Sequence, residues 1–362
     1  MPALLNWAGP MKVPRALVAV KHFMGLIFAT RTATRLPSIC VEITSPGHNQ
    51  TTQNDTMNAP QAQSDPRNGF AGVFPANPTP VTEKGDIHEM GLRAVLEDNM
   101  AYGVHGFWVA GTSGEGPLLS DEQRDTVARI AGETTQGRAL TIMHVGAITT
   151  HSAKKGARSA ARGGCAAIAC LPPFLIRASK SAIIDHYKAV ADSAEGLPLF
   201  AYNLPQLTQV EFDRDLMESL CSEVPSLIGL KHSAHDLSMI RHWLDMGLAC
   251  FSGFGHLPLP ALAMGAVGTV DAPLSVSPWL YVELYDAWKT GDLDTARAKQ
   301  QAIQAVANLT TRYDAVSDVG KTILGQRLGM DCGRAIRPNN RLTNDQRRDV
   351  LDSAKSMALF AH

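Results

Sequence analysis

The feature that most narrows what this 362-residue chain can fold into is a repeated alternation, in which short apolar runs are separated by longer stretches with helical spacing. The runs span residues 71–74, 106–110, 140–145, 166–171, 197–202, 227–231, 249–252 and 267–270. Between them lie helix-like segments, among them 86–102, 121–133, 151–162, 180–194 and 212–221. Eight strands alternating with helices is the pattern of an α/β chain closed into a (β/α)8 TIM barrel. A doubly wound open sheet is the structural rival. The barrel is preferred because the period stays regular over the whole stretch and no Gly-x-Gly-x-x-Gly turn follows the first run. After the eighth run, residues 281–290, 293–313, 319–328 and 344–358 read as further helices, so a C-terminal helical extension is expected. The resulting division is 1–70 as an N-terminal extension, 71–290 as the barrel and 291–362 as the helical extension.

The first segment differs in kind from the rest. Residues 1–41 carry Lys12, Arg15, Lys21, Arg31 and Arg35 but no acidic side chain, as in an organellar transit peptide. Residues 16–30 also resemble a signal-peptide core, but Lys21 and His22 interrupt it. Residues 45–68 are rich in Gln, Asn, Thr, Ser and Pro and too poor in apolar surface to order themselves. A start at Met57 would make the preceding segment a mis-assignment; this reading, or a disordered tail, is favoured over targeting. Across the whole chain 33 basic and 34 acidic residues give a net charge of -1, which offers no field for nucleic acid or an anionic membrane. No apolar stretch approaches the roughly 20 residues of a membrane span. The six cysteines form no Cys-x-x-Cys pair, which fits a reducing cytoplasm. Function is therefore sought in a small-molecule site.

Three motifs sit at the same end of three of the runs. Gly111-Thr112-Ser113-Gly114-Glu115-Gly116 follows the second, Tyr202-Asn203-Leu204-Pro205 closes the fifth, and Lys231 ends the sixth. Ser120 and Gln123 form a capping box ahead of a helix, which puts the glycine-rich motif in a loop on the catalytic face of a barrel. A lysine at the end of a buried strand is partly desolvated, and its amine becomes a nucleophile toward a carbonyl. The amides and hydroxyls of Thr112 and Ser113 make a small anion cradle, and the Tyr202 phenol can donate to a carboxylate or carry a proton. Glu115 reads as a structural tie for its loop, not a general base. An anion clamp beside a nucleophilic amine describes a site for a 2-oxo acid.

In these residues the chain resembles the pyruvate-dependent class I aldolases, the family of dihydrodipicolinate synthase and N-acetylneuraminate lyase, over residues 72–358. Thr79-Pro80 matches the Thr-Pro after the first family strand, and Gly265-Ala266-Val267-Gly268-Thr269-Val270 the strand-eight segment whose backbone contacts the bound 2-oxo acid. The resemblance implies that Thr112 and Ser113 bind the pyruvate carboxylate, Tyr202 shuttles protons, Lys231 forms the imine, and Val270 belongs to the substrate-binding segment. It further implies no cofactor, because the covalent imine on Lys231 is itself the electron sink, and a homotetramer or homodimer with Phe174 and Leu175 near the tight contact.

Two departures bear on the substrate. The arginine that grips the aldehyde's carboxylate in the synthases is Leu207 here, and the acidic side chains that hold sugar hydroxyls in the lyases give way to Gly253-Phe254-Gly255-His256. A third is Pro172-Pro173-Phe174-Leu175, where Leu175 replaces the tyrosine of an intersubunit proton relay, which leaves Ser113 and Tyr202 to pass protons through water, or a substrate carboxylate to take part. His232, His235 and His256 are candidate contacts to a substrate tail. The reading is a Schiff-base lyase that cleaves or condenses pyruvate with an aldehyde, on a 2-oxo sugar acid. The alternatives are a dehydratase of a 3-deoxy-2-oxo sugar acid and a 2-oxo acid binding protein without turnover.

Overall fold

A computed structural model describes residues 69–361. The readings made for residues 1–68 lie outside the described residues. Eight parallel strands run through the chain: β1 (Gly72–Val73), β2 (Gly106–Val109), β3 (Leu140–His144), β4 (Ala167–Cys170), β5 (Leu199–Asn203), β6 (Leu227–His232), β7 (Ala249–Ser252) and β8 (Gly268–Thr269). They pair in the order β1-β8-β7-β6-β5-β4-β3-β2. The two ends of this order meet through His105 N–H to the Val73 carbonyl and Trp108 N–H to the Pro75 carbonyl, each 3.0 Å, so the sheet curls into a nearly closed barrel. The expected (β/α)8 architecture is therefore the observed one.

The outer ring comprises α1 (Glu89–Ala101), α2 (Asp121–Thr135), α3 (Thr150–Arg162), α4 (Lys180–Asp192), the single turn α5 (Pro205–Thr208), α6 (Arg214–Glu223), α7 (Met239–Asp245), α8 (Pro258–Ala263), the single turn α9 (Pro273–Val276) and α10 (Pro278–Thr290). Several start where a short polar side chain accepts the third amide: Ser120, Thr149, Ser179 and Asp213 all do so, and Ser120 with Gln123 completes the expected capping box. Strand side chains alternate between two cores. Phe74, Trp108, Phe200, Tyr202 and Phe251 fill the barrel, whereas Phe107, Val109, Leu199, Ala201 and Leu230 pack outward on the helices.

After the eighth strand the chain continues into α11 (Leu293–Thr311), α12 (Val316–Leu328) and α13 (Asn344–Ser356). A third core, including Val306, Leu309, Val319, Ile323 and Val350, joins these helices to Val95 of α1 and Trp279 of α10. Polar ties reinforce it. Arg327 bonds Asp98 of α1 at 2.5 Å, and Arg334 bonds Asp318 at 2.8 Å. Burial opposes ionisation of Asp318, but Arg334 and the amides of Ala335 and Leu342 hold its carboxyl below the usual range.

Candidate active site

Register puts the site together. Tyr202 of β5 is the ladder partner of Lys231 of β6. Leu199 pairs with Leu227 but Phe200 with Gly229, so Ile228 is an extra residue and the strand carries a bulge. Beyond it Gly229 and Lys231 face the barrel interior while Leu230 and His232 face the helices. Only a glycine fits at 229, because a Cβ there would lie 2.2 Å from the Ala249 carbonyl oxygen and 2.6 Å from the Phe200 ring. Lys231 is 3 % exposed, and its Nζ lies 4.6 Å from the centre of the Tyr202 ring and 5.2 Å from that of Trp108. The amine thus lies against two aromatic faces.

The glycine-rich loop closes over this pair. Tyr202 Oη and Thr112 Oγ1 are 3.3 Å apart. Neither the Thr112 nor the Ser113 amide has a partner among the described residues, so both remain donors for an anion. The loop's shape is fixed by its surroundings: a Cβ on Gly116 would stand 1.7 Å from the Ala110 carbonyl oxygen. Thr79 donates to the Gly114 carbonyl at 2.6 Å, and Ser317 of α12 to the Ser113 carbonyl at 2.9 Å. Glu115 is fully enclosed, as a structural tie requires. One oxygen accepts from Lys321 Nζ at 2.6 Å, the other from Ile336 N at 2.7 Å and Asn339 Nδ2 at 2.8 Å. Burial pushes the Lys321 ammonium below the ordinary lysine range while Glu115 opposes the shift. The loop that carries Thr112 and Ser113 is therefore anchored to the C-terminal helices.

A cleft of about 870 Å³ opens above, between the barrel mouth and the C-terminal helices. Thr112, Ser113, Tyr202, Leu207 and His256 line it, with Ser233 and Gly253 above Lys231. Val270 does not: it is fully buried in the barrel core, and its amide donates to the Ser252 carbonyl at 2.8 Å. His232 is brought to the wrong side for a substrate contact. It points out of the barrel, where Nδ1 accepts from Trp243 Nε1 and faces Asn203 Nδ2, each at 3.3 Å, while Nε2 donates to the Asp236 carbonyl at 2.9 Å. His235 is exposed and, with His256, flanks the Phe254 ring at the rim. Leu175 is 80 % exposed in the loop after β4.

Three features escaped the sequence reading. His144 packs its ring 5.8 Å from Tyr202, with Nδ1 donating to the Ala110 carbonyl and Nε2 accepting from Leu171 N. Burial first, and then Arg124, push its pKa down to about 3, so it is a neutral wall of the site. Trp108 buries an indole N–H without a partner among the described residues, as Ser233 does its hydroxyl. Asp271, just beyond β8, lines the cleft and accepts from Gly255 N at 2.7 Å and Ala272 N at 2.8 Å. A carboxylate thus reaches the loop after β7 from a neighbouring strand. A Cβ on Gly255 would meet that carboxylate at 2.8 Å, which explains the glycine. Asp271 directly follows the eighth apolar run, and that placement was the available signal.

Known proteins share this sequence pattern and fold. The model of the dihydrodipicolinate synthetase family matches residues 69–357. N-acetylneuraminate lyase of Shigella boydii is 31% identical over 257 residues, covering 70% of this chain and 85% of that protein. Among solved structures, wild-type sialic acid aldolase of Ruminococcus gnavus superposes with a TM-score of 0.76 at 25% identity, over 80% of this chain and 97% of the other. Dihydrodipicolinate synthase of Aquifex aeolicus, at 24% identity, shares the fold with a TM-score of 0.74 over 80% and 99% of the two chains. The chain belongs to the dihydrodipicolinate synthetase family and is a lyase of the pyruvate-dependent class I type.

Proposed function

We propose that Lys231 forms an imine with pyruvate and that the protein cleaves or condenses a 2-oxo sugar acid whose aldehyde half carries a neutral, hydroxylated tail. The observation that carries the reading is the buried array in which the Lys231 amine lies against Tyr202, whose phenol in turn meets Thr112. Attack of Nζ on the ketone and loss of water give the iminium. Thr112 and Ser113 hold the carboxylate, and the buried, unpartnered Trp108 N–H and Ser233 hydroxyl are further donors below them. In cleavage, Tyr202 takes the proton of the C4 hydroxyl, the C3–C4 bond breaks to release the aldehyde, and its electrons enter the iminium as an enamine. A proton on C3 and water then return pyruvate and free Lys231. No cofactor takes part in this sequence.

The neutral tail is argued from charge. Asp271 and Asp314 line the cleft with Gln206, Gln304, Asn308, Asn339 and Asn340, and no lysine or arginine does so among the described residues. Such a wall hydrogen-bonds hydroxyls and repels carboxylate or phosphate tails. We further propose that residues 71–290 carry the chemistry while 291–362 close over it, that exposed Ile148, Leu175 and Ile176 lie at a contact of a homotetramer or homodimer, and that the enzyme works in the cytoplasm, in keeping with the free state of the described cysteines.

Borohydride reduction in the presence of pyruvate tests the reading. A reduced pyruvyl adduct on Lys231 by peptide mass spectrometry is expected, with none in Lys231→Ala. Cleavage should release an aldehyde; a dehydrated oxo acid would replace the aldolase by the dehydratase. An adduct on another lysine, or none on folded protein, defeats the mechanism. The native mass of the same preparation reads the assembly, and a monomer refutes the oligomer.

A further inference from the structure

The C-terminal helices enclose a second cavity, of about 780 Å³, bounded on its other side by the loop after β1. It shares a wall with the catalytic cleft. Ile336, Arg337 and Arg341 line this cavity, while Pro338, Asn339 and Asn340, from the same segment, line the cleft.

The lining is rich in guanidinium groups. Arg334 is neutralised by Asp318. Arg337, Arg341 and Arg347 have no carboxylate partner among the described residues, and Arg341 spends its Nε on the Ala335 carbonyl, at 2.6 Å. Two carboxylates lie on the lining, Glu83 and Asp331, and Asp331 already accepts from Gly333 N at 2.8 Å. A second observation points to a ligand. Thr322, on the same lining, is 3 % exposed, and its hydroxyl is buried without a partner among the described residues. A buried hydroxyl left unbonded is costly, and unpaired arginine forks are the groups that recognise carboxylate and phosphate oxygens.

We infer that this cavity binds a multivalent oxyanion, phosphoryl or polycarboxylate, as an effector of the catalytic loop. The route is the shared wall. Ile336 N and Asn339 Nδ2 both donate to Glu115, which stands two residues from Ser113, and Lys321, itself on the lining, holds the other Glu115 oxygen. An anion drawn to Arg337 and Arg341 acts on the segment that fixes Glu115 and so on the Thr112–Ser113 cradle. The binding inference stands on the cavity alone, whereas the coupling rests on reading the cleft as a pyruvate site.

Calorimetric titration of the full chain with inorganic phosphate and separately with citrate, at ionic strength held constant with sodium chloride, tests the site. One anion per chain is expected, with whichever anion binds tighter naming the ligand class. The Arg337→Gln/Arg347→Gln variant should bind roughly tenfold more weakly for each arginine removed. Arg348→Gln, which alters an exposed arginine paired with Asp345, should bind as the unaltered protein does. Saturating anion should shift the pyruvate concentration for half-maximal borohydride trapping at least twofold in the unaltered protein and leave the double variant unmoved. Absence of saturable binding, undiminished binding in the double variant, or an unmoved half-saturation each overturns the proposal. Failure of trapping without any anion would instead strike the pyruvate reading, and calorimetry would still decide the anion site.

Discussion

Removing Glu115 gives the sharpest test of how the barrel and the C-terminal helices support the site. The side chains of Glu115 and Lys321 are both 0% exposed, so Glu115→Ala strands an ammonium whose one remaining acceptor among the described residues is the Arg334 carbonyl, at 3.0 Å. Breaking a buried pair from one side costs about 3–5 kcal/mol. An independent bound agrees: the ammonium can escape by losing its proton, and taking a lysine from a pKa of ~10.4 to neutrality at pH 7 costs at most about 5 kcal/mol. Loss of the acceptor for Ile336 N and Asn339 adds about 1 kcal/mol or more. The variant should therefore lose about 5 kcal/mol, or roughly 8 °C in melting temperature for a domain of this size. Urea unfolding of the four proteins in a cycle with Lys321→Met isolates the cause. Removing both charges should restore about 2 kcal/mol relative to the sum of the single losses. A Glu115→Ala variant within 1 kcal/mol of the parent, or a double variant no better than additive, would refute the argument that an unpaired buried charge is what the loop's anchor prevents.

Two further outcomes follow from the same geometry. His144 and His186 are buried, and that burial pushes their pKa values down to about 3 and about 4; the unfolded chain, near ~6.5, binds protons the fold refuses, so stability is complete well above pH ~6.5 and falls as pH drops through it, toward a limiting slope of about 2.7 kcal/mol per unit for the two together. Urea unfolding should show a loss of about 3 kcal/mol between pH 6.5 and pH 5, and His186→Gln about half of it, whereas a flat profile contradicts it. Gly253→Ala places a Cβ 1.8 Å from Ser233 Oγ, 2.9 Å from Ser233 Cβ and 3.1 Å from Lys231 Cε; rotating the hydroxyl relieves only the first contact, so stability should fall by about 1–3 kcal/mol while pyruvate trapping by the folded protein slows at least tenfold, and an unchanged trapping rate would show that the amine does not react from this position.

What was legible in the sequence was whatever is encoded over a few neighbouring residues. The short apolar runs gave the strands to within a few positions, and the capping box at Ser120 gave the start of α2. The helices α7 and α8 span only 7 and 6 residues, too few turns for a periodic apolar face, and they went unnamed. The His232 assignment failed for a different reason. Strand alternation puts neighbours on opposite faces, so a lysine facing the barrel sends the next residue outward to Trp243. Asp271 and Lys321 needed information that no local pattern holds. Lys321 is 206 positions from Glu115, and Asp271 is 16 from the glycine it contacts. Each appears in the sequence as one charged residue in a helix or at a strand end, where solvation is the ordinary fate. Closing the barrel brings Asp271 to the loop after β7, and packing of α12 encloses Lys321 against Glu115. The order of dependence is therefore physical: local pattern fixes the strands, closure brings Lys231, Tyr202 and Thr112 together, and the C-terminal helices then hold the loop of Thr112 and Ser113 through Glu115 and the Ser113 carbonyl.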